Sequence, residues 1–519
     1  MAAGGDPRAG DPRAVGKQAG VAATPGGGAT GEDQRHSLRR GAIGLPGLIA
    51  QSLGVTAPEI SGVVIASVVA ASAVAATPLA LVVGGIGAVA LGLIYSRFAR
   101  YVPHAGGTYA IVRAGLGSDV GFFAGWTLLA VGVIFVAGLL ISAAFLLQAL
   151  CGPNLLHITF MADQWVWTAV VLAVIVLGIS YLGVSLSARV LLALTTVGVT
   201  LLVIFGFIVL AKGGASGLAW TTFNPSHIST VGFANFAIAV GISMTAFSGF
   251  ETAVFLAEEA HTPRRQVPKA VIGAVLAALV FYVFIAFSIL TGYGVKHLGG
   301  WSKDGPFAVI TLAFNGFVPL WYGKLLLGLL ALSGSVSALG TANFTTRIAF
   351  SWGRDGYLPH VFARTHRRFK SPSAAIGVLG VTTLAIFAAG SAWQGQSLAA
   401  FAGFAVFSWL LLAGAAAVLP VYVLVALSGL VHGARTQAAL LYGWIAPVLA
   451  VIILGTAEYT QFHGLTGPNR WAPWVAVAWM AAGVVVRLAT RRRVRAQERQ
   501  FDAAPAEPGL QSADRVVGT

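Results

Sequence analysis

Charge is what this sequence has least of. Asp, Glu, Lys and Arg make up 9% of its 519 residues, against about 25% in an ordinary soluble domain. No single soluble core could hide the 57% that is hydrophobic, so a soluble globular fold is excluded. Cysteine is almost absent. The lone Cys151 rules out an intramolecular disulfide and reads as packing at the outer end of an apolar run. There is no P-loop lysine motif, no HExxH, no metal-spaced Cys/His cluster and no nucleophile elbow. These absences speak against an enzyme and against a nucleotide-driven pump, and no cofactor or metal is expected. No short apolar core with a cleavage site opens the chain.

Long apolar runs are what is present. A hydrocarbon core needs about 20 residues of helix. Twelve runs meet that need: roughly 44–72, 77–97, 119–149, 164–182, 188–211, 232–258, 268–291, 318–350, 373–390, 398–428, 437–457 and 471–490. They predict an all-α polytopic membrane protein with 12 transmembrane helices, spans 1 to 12. Residues 1–40, rich in Gly, Ala, Pro and Arg, read as a flexible cytoplasmic tail, and 491–519 as a second one.

The net charge of +15 is a topology signal. With both ends cytoplasmic, all Lys and Arg except Lys212, Lys296, Lys303, Lys324 and Arg470 fall on the inner side, as the positive-inside rule requires. Attraction to anionic lipid is a secondary consequence. A nucleic-acid partner would need a basic folded domain, and the sequence has none. The Ala-, Gly- and Arg-heavy composition suggests a GC-rich bacterium, and hence a bacterial plasma membrane.

Two spans are interrupted. The first contains SLGVTAPEISG (52–62), where Gly54 frees the backbone and Pro58 disfavours helix at Ala57. The sixth contains FSGFE (247–251), with Ser248 and Gly249 in mid-span. In hydrocarbon, unwound backbone survives only where it is buried in protein or lines a polar cavity. Broken helices at corresponding positions of two halves are the best sequence pointer to a transporter site. Spans 1 and 6 correspond if 1–5 (about 41–211) and 6–10 (about 232–428) form a 5+5 inverted repeat, with 11 and 12 (about 437–490) as two extra helices. Gly and Pro are also common in membrane helices, so the first break alone decides nothing. The second carries an acid, Glu251, and an intramembrane acid costs roughly 2.5–3.5 kcal/mol on insertion scales.

Four stretches resemble the amino acid–polyamine–organocation superfamily of transporters. In 242–271 the shared elements are the Gly-Phe-Glu of the break, Glu258-Glu259, Pro263, Arg264, Pro268 and Lys269. In VPHAGGTYAIVRAGLGSDVGFFAGW (102–126) they are Pro103, Gly106, Gly107, Tyr109, Gly121, Phe122, Gly125 and Trp126. In 345–376 they are Arg347, Arg354, Asp355, Gly356, Leu358, Pro359 and Pro372; the fourth stretch is GVSLSARV (183–190). The resemblance implies the inverted-repeat fold and a substrate held between the breaks of spans 1 and 6, with sides from spans 3, 8 and 10. It also implies coupling to an ion gradient or a counter-substrate. Two departures stand out. Gly54-Val55-Thr56-Ala57-Pro58-Glu59 replaces the Gly-x-Gly break of many members. Gly198 stands where some proton-coupled relatives carry a lysine.

The candidate substrate-binding residues are therefore Gly54, Val55, Thr56, Ala57, Ala246, Phe247, Ser248, Gly249, Phe250 and Trp126. Phe247, Phe250 and Trp126 could close over an aliphatic or amine substrate. Glu251 is either a proton acceptor or gate residue, because burial favours its neutral form, or a structural carboxylate capping freed amides. Glu59 is a second proton site, a counter-ion for a substrate amine, or a solvated acid at a helix N-terminus. Ser333, Ser337 and Thr341 are either packing hydroxyls or a sodium site. Glu258, Glu259, Arg264, Arg265, Arg354 and Asp355 form an inner gate network or a solvated loop. The expected function is a secondary active transporter importing an amino acid or related amine, driven by protons. An exchanger and a non-transporting sensor are the alternatives.

Overall fold

The computed structural model describes residues 38–503 apart from Pro103 and short stretches at 153–154, 159–164, 295–296, 298, 394–401, 437–438 and 464–466. The expected N-terminal tail lies almost wholly outside those residues. Among the described residues every regular element is a helix, and the one β-contact is an isolated bridge between Ile43 and Ala260.

The helices follow the twelve apolar runs. Span 1 covers 45–73, span 2 Thr77–Phe98, span 3 Ser118–Cys151, span 4 Trp165–Tyr181, span 5 Val184–Ala211 and span 6 Phe233–Ala246 followed by Thr252–Glu259. Span 7 is Pro263–Tyr293, span 8 Leu320–Arg354, span 9 Ser373–Trp393, span 10 Ala402–Thr436, span 11 residues 441–463 and span 12 Ala472–Ala503. Among the described residues nine helical stretches are long and apolar enough to cross a bilayer, Leu45–Phe98 holding the first two spans; spans 4 and 6 are shorter apolar helices. Span 12 runs to Ala503, so the stretch expected to be tail from residue 491 begins as helix.

Burial divides the spans. Spans 8 and 10 both pack along span 3 at the centre, and the most apolar stretches of these three are about two-thirds buried or more, against about one-third in spans 5 and 9. Small residues allow the close approach. A Cβ on Gly132 of span 3 would lie 1.9 Å from Thr345 of span 8, and one on Gly414 of span 10 would lie 2.0 Å from the Phe135 ring of span 3. Short helices not visible as apolar runs cover the ends. Thr108–Leu116 lies between spans 2 and 3, and Gly300–Asp304 between spans 7 and 8. Within the latter, Trp301 is fully buried and donates its indole N–H to the Val63 carbonyl of span 1 at 3.2 Å.

Candidate functional site: a chamber between two broken helices

Span 1 is interrupted at one residue. The helix Leu45–Thr56 ends at Ala57, which sits in the left-handed region (φ 45°, ψ 66°), and helix resumes at Pro58. Proline explains the position, since it disfavours α geometry in the residue before it and lacks an amide to continue the ladder. Gly54 is not the residue that frees the backbone. It lies within the helix, where a Cβ would stand 2.1 Å from Leu191 of span 5, so its smallness serves packing.

The break in span 6 is longer. Helix stops at Ala246, residues 247–251 form a turn, and the inner half continues as a tight 3₁₀ segment, Thr252–Glu259. Gly249 at φ +104° needs the absence of a side chain twice over. Its conformation is left-handed, and a Cβ would stand 2.5 Å from Val55 Cγ1 and 3.0 Å from the Val55 carbonyl carbon. The two breaks therefore touch. Thr252 Oγ1 donates to the Gln51 carbonyl, and the Ala253 amide donates to Ser52 Oγ.

A chamber of ≈ 60 Å³ opens at this meeting point. Its polar floor comes from Val55, Thr56 and Ala57 of span 1 and Ser248, Gly249, Glu251 and Thr252 of span 6, with Ser337 and Thr341 of span 8 and Tyr422 of span 10 alongside. Freed carbonyls are tied down by side chains, as a low-dielectric interior demands. Ser337 donates to the Val55 carbonyl at 2.7 Å, Ser61 to that of Thr56 at 2.7 Å, and Tyr282 to that of Ala246 at 2.9 Å. Glu251 is 4% exposed. Its Oε1 accepts from Tyr422 Oη at 2.9 Å and its Oε2 from the Gly249 amide at 3.2 Å. Glu251 thus caps a freed amide, as the structural reading expected, and also lines the chamber. Thr341 Oγ1 is buried with no hydrogen-bond partner among the described residues, so its hydroxyl remains available at the chamber wall.

Several expected lining residues lie elsewhere. Ala246 is buried behind the turn. Phe247 packs edge-on against Tyr282, and Phe250 against Tyr95, so both rings brace the break from behind. Trp126 is stacked on Trp479 of span 12 with centroids 4.5 Å apart, and each indole N–H donates to the other's carbonyl. Its ring is committed to docking span 12.

Glu59 also faces away from the chamber. It is 2% exposed, so it is not a solvated helix-terminal acid. Its Oε2 accepts from Ser333 at 2.7 Å, and its Oε1 lies where a Cβ on Gly198 would be, 2.2 Å away. Gly198 of span 5 and Glu59 of span 1, the two departures noted in the sequence, therefore meet in space. Ser333 is consequently separated in role from Ser337 and Thr341, and the three hydroxyls do not converge on one ion shell. Tyr422 was not anticipated. Its signal was an isolated tyrosine two residues after Pro420 inside an apolar run.

At the end of span 6, Glu259 forms a buried two-pronged pair with Arg347, at 2.6 and 3.3 Å. Glu258 pairs with Arg354 at 2.9 Å, beside Asp355. Arg264 and Arg265 are exposed in the first turn of span 7 and take no part. His104, in the loop after span 2, accepts from the Gly106 amide at Nδ1 and faces Arg354 Nη2 at 3.0 Å through Nε2. The network is real, with Arg347 replacing the two exposed arginines.

The family model for amino acid permeases matches residues 44–486, the whole spanning body. The chain belongs to that family, within the amino acid–polyamine–organocation superfamily. An uncharacterized transporter of Mycobacterium tuberculosis (strain ATCC 25618 / H37Rv) is 27% identical over 323 residues, 60% of this chain and 65% of the relative. The branched-chain amino acid permease BcaP of Lactococcus lactis subsp. cremoris (strain MG1363) is also 27% identical, over 59% of this chain and 66% of its own length. Cationic amino acid transporter 5 of Arabidopsis thaliana is 26% identical over 57% and 50%. The alignments thus span about two-thirds or less of these relatives. Among solved structures, the permease shares its fold with MhsT, crystallised in complex with L-phenylalanine. The TM-score is 0.54 at 16% identity, covering 81% of this chain and all of that one.

Proposed function

We propose that the permease is a secondary active transporter that imports an amino acid or related amine across the bacterial cell membrane by alternating access, driven by protons. Both termini are cytoplasmic in this reading, which rests on the distribution of Lys and Arg. The observation that carries it is the Glu251 carboxyl at the chamber floor, bonded to the backbone of the break.

Glu251 supplies a means of coupling. Both of its oxygens accept hydrogen bonds. A proton arriving on either oxygen turns an acceptor into a donor. The Tyr422 hydroxyl can rotate and accept, whereas the Gly249 amide can only donate. Protonation and the geometry of the break are therefore linked, and substrate resting on that break feels the change. Sodium coupling is less well supported, because Ser333 turns to Glu59 in a separate small cavity, away from the chamber that Ser337 and Thr341 line.

Uptake into proteoliposomes under an imposed inward proton gradient tests the reading. Accumulation without internal substrate is expected. Uptake only against internal substrate would make the protein an exchanger. Binding without flux of either kind would make it a sensor.

A further inference from the structure

The walls above the chamber floor say which substrates suit it. Ile60 and Ile65 of span 1, Phe135 and Leu139 of span 3, and Phe407 and Leu411 of span 10 line it from the break upward. Among the described residues no lysine, arginine or histidine lines the chamber, and Glu251 is the one acid there. Both oxygens of that acid are already engaged within the break. The second acid that might have balanced a cationic substrate, Glu59, is bonded to Ser333 behind span 1. A zwitterion placed with its charged end on the polar floor would direct its side chain at hydrocarbon on three sides.

We propose that the chamber selects amino acids with uncharged, apolar side chains, and that Phe135 and Phe407 are the specificity-determining residues. This rests on the transport reading above and narrows its substrate class, setting aside polyamines and cationic amino acids. An ammonium or guanidinium group at the far end of a substrate would lose its hydration with no carboxylate to replace it, a cost that pairing must offset. An aliphatic or aromatic group there gains from each methylene removed from water. Phe407 is 3% exposed and fixed in the wall. Phe135 is half-buried, its ring resting on the bare backbone of Gly414 in span 10. The two rings come from different spans, so their separation sets the room available for a side chain.

Direct binding of leucine, phenylalanine, arginine and putrescine to the purified full-length protein in lipid nanodiscs is the test. Leucine or phenylalanine is expected to bind at least tenfold more tightly than arginine, with putrescine weakest. Arginine or putrescine binding as tightly as the apolar amino acids would overturn the proposal while leaving an amine transporter standing. Silence from all four ligands would bring down the transport reading and this inference with it. Phe135→Ala provides a second measurement. Its affinity for phenylalanine should fall at least fivefold while its arginine affinity stays within twofold, and an equal change for both would remove Phe135 as a determinant.

Discussion

Tyr422 of span 10 donates its hydroxyl to Glu251 in the break of span 6 at 2.9 Å. This bond joins a central packing helix to the broken one through a group that can take up a proton. Glu251→Gln keeps the shape and removes the titration. Transport by this variant should lose its dependence on external pH, while its thermal unfolding midpoint stays near that of the parent. A parental pH profile in the variant would make Glu251 structural only.

Tyr422→Phe leaves one buried oxygen of Glu251 without its donor. Loss of a buried partner costs about 1–3 kcal/mol. The expected outcome is a lower unfolding midpoint together with a displaced pH profile of transport. Destabilisation with an unmoved profile would confine Tyr422 to packing.

Gly198 and Glu59 share one space. Gly198→Ala places a methyl 2.2 Å from Glu59 Oε1, and overpacking of this kind costs typically 1–3 kcal/mol. Shortening the acid should relieve it, so the double variant Gly198→Ala/Glu59→Ala should be non-additive in chemical denaturation. Strict additivity would show that the two positions do not meet.

His104 gives the ion-pair cluster around Arg354 a pH dependence of predictable sign. Burial pushes its imidazole below the ordinary value of 6.5; Asp355 and Glu258 pull it upward, and Arg354 and Arg113 push it further down. A folded value lower than the unfolded one means that the unfolded chain binds more protons. Stability is therefore full above about pH 6.5 and declines as the pH falls from there toward the depressed folded value. The parent should lose more of its unfolding midpoint between pH 7.5 and pH 5.5 than His104→Gln does. Matching pH slopes would dismiss the histidine.

Trp126 and Trp479 clasp spans 3 and 12 by stacking and by reciprocal hydrogen bonds. Trp126→Phe retains an aromatic ring and deletes one of the two bonds. We expect a loss of about 1 kcal/mol in stability with the ranking of substrates unaltered. A changed ranking in competition binding would return Trp126 to the substrate site.

The spans were legible because hydrocarbon imposes one requirement, a continuous apolar helix, on every crossing. The breaks were legible for a related reason, since Pro58 and the Ser248-Gly249 pair are local backbone effects. Side-chain direction was not. Phe247, Phe250 and Glu59 flank the breaks in sequence, yet a helix turns by a third of a revolution in little more than one residue, and adjacency says nothing about which side faces the chamber. Trp126 and Tyr422 depended on partners more than 150 residues away, and no local pattern encodes such a pairing. Gly54 was misread because one residue type serves both to end helices and to let them approach.

The residues just before span 1 are clipped to the end of span 6. The amides of Ala42 and Ile43 both donate to the Glu259 carbonyl, and the Ile43 carbonyl accepts from the His261 amide. The two broken helices are thus fastened at this end as well as at their breaks. Two fastenings make a lever pair with no independent hinge. Any motion that parts the two helices at this end must carry them as a single arm or first break the three backbone hydrogen bonds made by residues 42, 43 and 261.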